Sequence, residues 1–99
     1  MACFHAQQAA EKALKASLVH AAVQFRRTHD LVVLVALLAE PVRSEVNNFD
    51  LQRLQQWAVD ARYAADLPDI TAGEAVAVVA IADQIVAAVA VALREDGPA

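Results

Sequence analysis

Apolar positions recur along the chain at three- and four-residue steps, which predicts helices. The first pattern runs over residues 2–25 and stops at Arg26 and Arg27, two cations suited to the negative end of a helix dipole. Within it, FHAQQAAEKALKA places Gln8, Glu11, Lys12 and Lys15 in one stripe. Ala6, Ala9, Ala10, Ala13, Ala16 and Ser17 fall opposite, so one small close-packing side and one narrow polar ridge are expected. Thr28 is placed to cap a second helix, with His29 and Asp30 in its first turn, residues 31–39 as its body and Pro41 as its end or a kink. Residues 41–49 are the least regular part, and Asn47, Asn48 or Asp50 can cap a third helix. Its Leu51, Leu54, Ala58 and Ala61 face inward, and its Gln52, Arg53, Gln56 and Asp60 face outward. Residues 63–73 read as a loop broken by Pro68. Thr71, three residues ahead of Glu74, is a capping-box pattern that opens a last helix ending before Gly97 and Pro98. On that helix Val78, Ile81, Ile85, Val86, Val89 and Leu93 share one side, with Ala80, Asp83, Ala87 and Arg94 on the other. The expectation is a single all-α domain, 1–99, of about four helices, with no internal repeat and no linker.

Composition adds a surplus. Apolar residues make up 59% of the 99, above the ~45–50% usual in globular chains. One small bundle has little room to hide that much, so self-association into a homodimer or higher homo-oligomer is the expected outlet. The net charge of −4 excludes a protein devoted to nonspecific coating of nucleic acid, although a local basic patch remains compatible with it. A single cysteine, Cys3, and the lack of a leader pattern make the cytoplasm the expected compartment. Neither apolar stretch reads as a membrane span: 31–39 is too short, and 74–93 is interrupted by Asp83 and Gln84.

Most familiar site chemistry is absent. Cys3 and His5 point to different sides of a helix, and His20 and His29 have no partner at ligand spacing, so no metal is expected. Gly73 and Gly97 are the only glycines, which removes any phosphate-cradling loop, and no cofactor is expected. Ser17 and Ser44 lack the strand-turn-helix setting of a hydrolase nucleophile. Three features remain: the Gln8, Glu11, Lys12, Lys15 ridge, the RRTHD turn at 26–30, and ARY at 61–63. Each also has a plain structural account. A Glu11–Lys15 pair on a wet face contributes ~0.2–0.5 kcal/mol, the turn is a basic helix end with a cap, and Arg62 and Tyr63 can simply finish a helix.

Taken in order, FHAQQAAEKALKA, THDL at 28–31 and ARY resemble the HEPN domain family, over roughly residues 3–93. Its members typically show a Gln-Ala-x-Glu-x-x-x-Lys-Ala helix, a His-Asp-Leu turn and an Arg-Tyr before the last helix. The resemblance implies an up-and-down antiparallel helical bundle, commonly dimeric and often encoded with a small nucleotidyltransferase as a toxin–antitoxin-like module. Many such proteins are RNases that use an arginine and a histidine with four to six residues between them. Here the positions after Arg62 hold Leu67, Pro68 and Asp69, and no other arginine has a histidine at that distance. The chain also begins inside what is usually the family's second helix, which implies either a neighbour covering the exposed flank or a start upstream of Met1. The resemblance therefore favours a dimeric binding module with a nucleotidyltransferase partner. Gln8, Lys12, Lys15, His29, Arg62 and Tyr63 would line a cleft for a nucleotide or an RNA phosphate. The alternative is a metal-independent RNase toxin in which His29 joins Arg62 as the catalytic pair.

Overall fold

A computed structural model of the chain describes residues 2–55 and 71–96. The expectations for Gln56, Ala58, Asp60, Ala61, Arg62, Tyr63 and Pro68 lie outside the described residues. Among the described residues there are five helices and no strand: α1 (Ala2–His20), α2 (Leu31–Ala36), α3 (Val42–Asn47), α4 (Leu51–Gln55) and α5 (Ala72–Asp96). The all-α bundle expected from the sequence is the one observed.

Helix α1 stops five residues short of the expected Phe25, for a local reason. Ala22 adopts a left-handed backbone, φ 58°. Its N–H bonds the Val19 carbonyl at 3.0 Å, and the Val23 N–H bonds the Leu18 carbonyl at 2.9 Å. This is a Schellman ending, and half-buried Val23 folds back onto the core that holds Leu18. A side chain at positive φ costs about 1–2 kcal/mol that glycine avoids, against a smaller loss from glycine's freer unfolded chain. Ala22→Gly is therefore expected to stabilise the protein by roughly 0.5–1 kcal/mol in urea unfolding. An unchanged or lower midpoint would contradict the ending described.

The second helix corrects the expected cap. Asp30, not Thr28, is the N-cap, its side chain accepting from the N–H groups of Val32 and Val33. Thr28 stands one step further out, with its Oγ1 accepting from the Asp30 N–H at 3.0 Å. The Leu31 N–H is taken by Gln55 Oε1 of α4 at 2.8 Å. Between them Asp30 and Gln55 satisfy the first three donors that a helix start leaves open. At its other end α2 finishes at Ala36, before the expected 39.

The segment expected to be irregular contains α3. Pro41 supplies no side-chain cap, but Glu40 does, its Oε1 accepting from the Ser44 N–H at 3.1 Å and from Arg43 Nε at 3.0 Å. Of the caps considered for the next helix, Asp50 is used: its Oδ1 accepts from the Arg53 N–H at 3.1 Å. Thr71 Oγ1 accepts from the Glu74 N–H at 3.0 Å, as the capping pattern required. Helix α5 begins at Ala72, so Gly73 belongs to it and not to the loop. The Glu74 carboxylate then pairs with Arg53 in a two-pronged contact, Nε at 2.9 Å and Nη2 at 2.6 Å.

That pair fixes α4 at the N-terminal end of α5. Helix α3 lies toward the other end, because Val42 and Glu45 share a groove with Ala88, Val91 and Glu95. Helices α3 and α4 thus descend against α5. Helix α1 runs alongside α5 in the same direction, since Ser17 and Leu18 line that same groove and the charge of Glu74 reaches Cys3. The α1–α5 contact is the most extensive in the fold.

The core explains where the expected faces of α1 were misplaced. Cys3, Ala6, Ala10, Leu14 and Leu18 are buried together with Val78, Ala82, Ile85, Ala88 and Val89 of α5. Ala9 and Ala16, expected on the packed side, are exposed, whereas Gln7 and Glu11 are buried. The inward direction is set by Leu14 and Leu18, whose apolar surface exceeds that of any alanine. On α5 the expected inward set holds for Val78, Ile85 and Val89, but Val86 is exposed. Residues 72–95 are long and apolar enough to cross a membrane, with mean hydropathy 2.4 over an 18-residue stretch. In the fold the buried stripe of α5 packs on α1, and Asp83 and Gln84 lie on its exposed side.

Candidate functional site

The polar ridge of α1 straddles the border between core and solvent. Glu11 is its inner member, only 4% exposed, beside Gln7 at 0%. A carboxylate withdrawn from water requires partners, and four donor contacts from three side chains converge on this one. Gln7 Nε2 donates to Oε1 at 3.3 Å and Lys15 Nζ to Oε2 at 3.2 Å. His29 Nδ1 sits between the two oxygens, at 3.0 Å from Oε1 and 3.1 Å from Oε2. Gln8 Nε2 extends the chain outward by donating to Gln7 Oε1 at 2.7 Å. Burial pushes the Glu11 carboxyl up, but the hydrogen bonds from His29, Gln7 and Lys15, with the charge of Lys15, outweigh it. The carboxyl ends below its ordinary value.

His29 reaches this carboxylate because its backbone is held from both sides. Thr28 accepts from Asp30, and Asp30 anchors the start of α2, where Leu31 is fully buried. The imidazole itself is 70% exposed. An ionised carboxylate only accepts, so Nδ1 carries a proton and Nε2 is the nitrogen left for an incoming group. It is an acceptor when the ring is neutral and a donor when it is charged. Lys12 stands exposed on the same helix, adding a cation that Glu11 does not consume.

Of the six residues expected to form a cleft, the structure gathers Gln8, Lys15 and His29 into one network and leaves Lys12 at its edge. Arg62 and Tyr63 lie outside the described residues. The centre of the network, Gln7 and Glu11, was missed as a site. The signal was present in the four-residue steps Gln7–Glu11–Lys15, but spacing alone does not reveal burial. Cys3 and His5 do part, as their spacing required: Cys3 enters the core, where burial pushes its thiol up, and His5 is exposed. No group of three or more metal-ligating side chains occurs among the described residues.

The family model described as HEPN domain matches residues 1–93. No curated protein and no solved structure matches the chain.

Proposed function

The chain belongs to the HEPN domain family, and from that premise we propose that it is a cytoplasmic, dimeric binding module holding a nucleotide or RNA phosphate beside the Glu11 network. In this reading it works with a nucleotidyltransferase partner in a toxin–antitoxin-like pair. The observation that carries the phosphate assignment is the buried Glu11, which fastens Lys15 and His29 at one solvent-facing spot while Lys12 stays exposed beside them. Cations held in place before a ligand arrives lose less freedom on binding it. Dimerisation is supported by apolar surface left on the outer faces, with Val76 70% and Val19 68% exposed.

Calorimetric titration with ATP and with a short RNA oligonucleotide tests the site. Lys12→Ala and His29→Ala are each expected to weaken binding by roughly fivefold or more, as removal of a charged hydrogen-bonding partner does. Affinities unchanged in both variants would remove the assignment. Sedimentation of the unmodified chain is expected to show a particle of two copies.

A second reading has one observation in its favour. A carboxylate on Nδ1 orients the imidazole and leaves its Nε2 toward solvent, the arrangement a general acid or base requires. With Arg62 gripping the phosphate, His29 would then make this an RNase. Cleavage of RNA abolished by His29→Ala and by Arg62→Ala supports that reading. Cleavage indifferent to both marks a contaminant and leaves the binding module.

A further inference from the structure

We propose that the groove between the C-terminal ends of α1 and α5 docks an amphipathic helix of a partner protein, one that carries lysine or arginine beside its apolar stripe. The groove has a volume of about 410 Å³, and Leu18, Val23, Leu38, Val42 and Leu93 contribute apolar side chains to its lining. Its charged members among the described residues are all acidic: Glu40, Glu45 and Glu95. Glu40 is engaged by Arg43 and Ser44. Glu45 and Glu95 have no ion-pair or hydrogen-bond partner through their carboxylates among the described residues, and both are exposed.

Two further features select a cationic, elongated occupant. Helices α1 and α5 run in the same direction, so the negative ends of both dipoles meet at this end of the bundle and reinforce the carboxylates. Apolar exposure also runs along the groove, with Leu37 38% and Val91 42% exposed. A helix laying aliphatic side chains at i, i+3, i+4 and i+7 into such a track, with cations along its flank, matches both shape and charge. The same carboxylates repel nucleic acid and anionic lipid. None of Gln7, Glu11, Lys15 and His29 lines the groove, although Ser17 and Leu18, which do, follow Lys15 on α1.

The test uses the full chain and a fluorescein-labelled peptide of leucine and lysine patterned as an amphipathic helix. A peptide of the same composition with the pattern scrambled is the comparison. Anisotropy is expected to show binding of the patterned peptide at least tenfold tighter than of the scrambled one. Glu95→Lys and Val91→Asp, both at exposed positions, are expected to weaken it by roughly fivefold or more, whereas Asp83→Lys, which changes the net charge equally, leaves it within about twofold. Circular dichroism identifies any variant that has lost its helices. Absence of binding, equal binding of the scrambled peptide, or equal loss in Asp83→Lys and Glu95→Lys would overturn the proposal. So would a dimer that Val91→Asp splits into monomers, because the occupant would then be a second copy. ATP titration of Glu95→Lys is expected to match the unmodified chain, so failure here and failure of the phosphate site are separately visible.

Discussion

Leu14→Ala is expected to destabilise the protein by about 2–5 kcal/mol, the range for emptying a fully enclosed leucine site. Leu14 is 0% exposed and belongs to the cluster that joins α1 to Val78, Ala82 and Ile85 of α5. The loss combines the apolar surface no longer buried with the contacts missing around the cavity. The cluster is also rich in alanine, with Ala6, Ala10, Ala82 and Ala88, which have no further atoms to move into a space. For a domain of this size the total stability is only about 5–15 kcal/mol, so a fall in Tm on the order of 10–20 °C is expected. Urea unfolding with an unchanged m-value is the check. A loss below about 1 kcal/mol would mean that the α1–α5 interface is not the centre of the core.

Acid stability that depends on Glu11 is the second large effect. Glu11→Ala leaves the buried Gln7 amide without its acceptor, at a cost of about 1–3 kcal/mol. It also frees His29 and Lys15 from their fixed positions, so phosphate affinity is expected to fall together with stability. The pH dependence has a definite sign. The folded carboxyl titrates below its ordinary 4.5, so its contribution is fully present above that value and is lost as pH falls through the lower, folded value. Glu11→Gln keeps the shape but cannot titrate, and its stability is expected to converge on that of the unmodified chain as pH falls below 4.5. Glu40 and Glu74, also held below their ordinary value, titrate in both proteins, so the difference between the two curves isolates Glu11. His29→Ala removes the strongest of the bonds opposing burial, so a carboxyl ¹³C titration is expected to show Glu11 moving up. No movement would mean that the imidazole does not rest on the carboxylate in solution.

These effects bear on how the proposed phosphate site is built. Glu11 and Gln7 need not touch a ligand, because their part is to hold Lys15 and His29 where a ligand arrives. In the proposed site the buried Glu11 carboxylate keeps half-buried Lys15 and exposed His29 in place, and a ridge of this kind on an alanine-rich helix is consistent with that role. So is a ridge that crosses the edge of the core instead of lying fully in water.

The sequence by itself determined what depends on near neighbours. Thr71 ahead of Glu74 marks a helix start because a cap bonds an N–H three residues on, and by the same rule Asp50 is one of three caps open for another, the one the structure uses. Val78, Ile85 and Val89 were readable as inward because helical periodicity alone puts them on one stripe. The chemistry of Asp30 and Glu40 as caps was present too, but Thr28 and Pro41 were more familiar signals at the same places. The tertiary structure decided the rest, because it depends on groups brought together from distant parts of the chain. Gln55 closes the start of α2 from 24 positions away, and His29 reaches Glu11 across 18. Where α1 turns its stripe was settled by the apolar area of Leu14 and Leu18 against α5, and that rotation carried Glu11 out of water. A periodic pattern records which side chains share a face; only packing against a second helix says which face is inside.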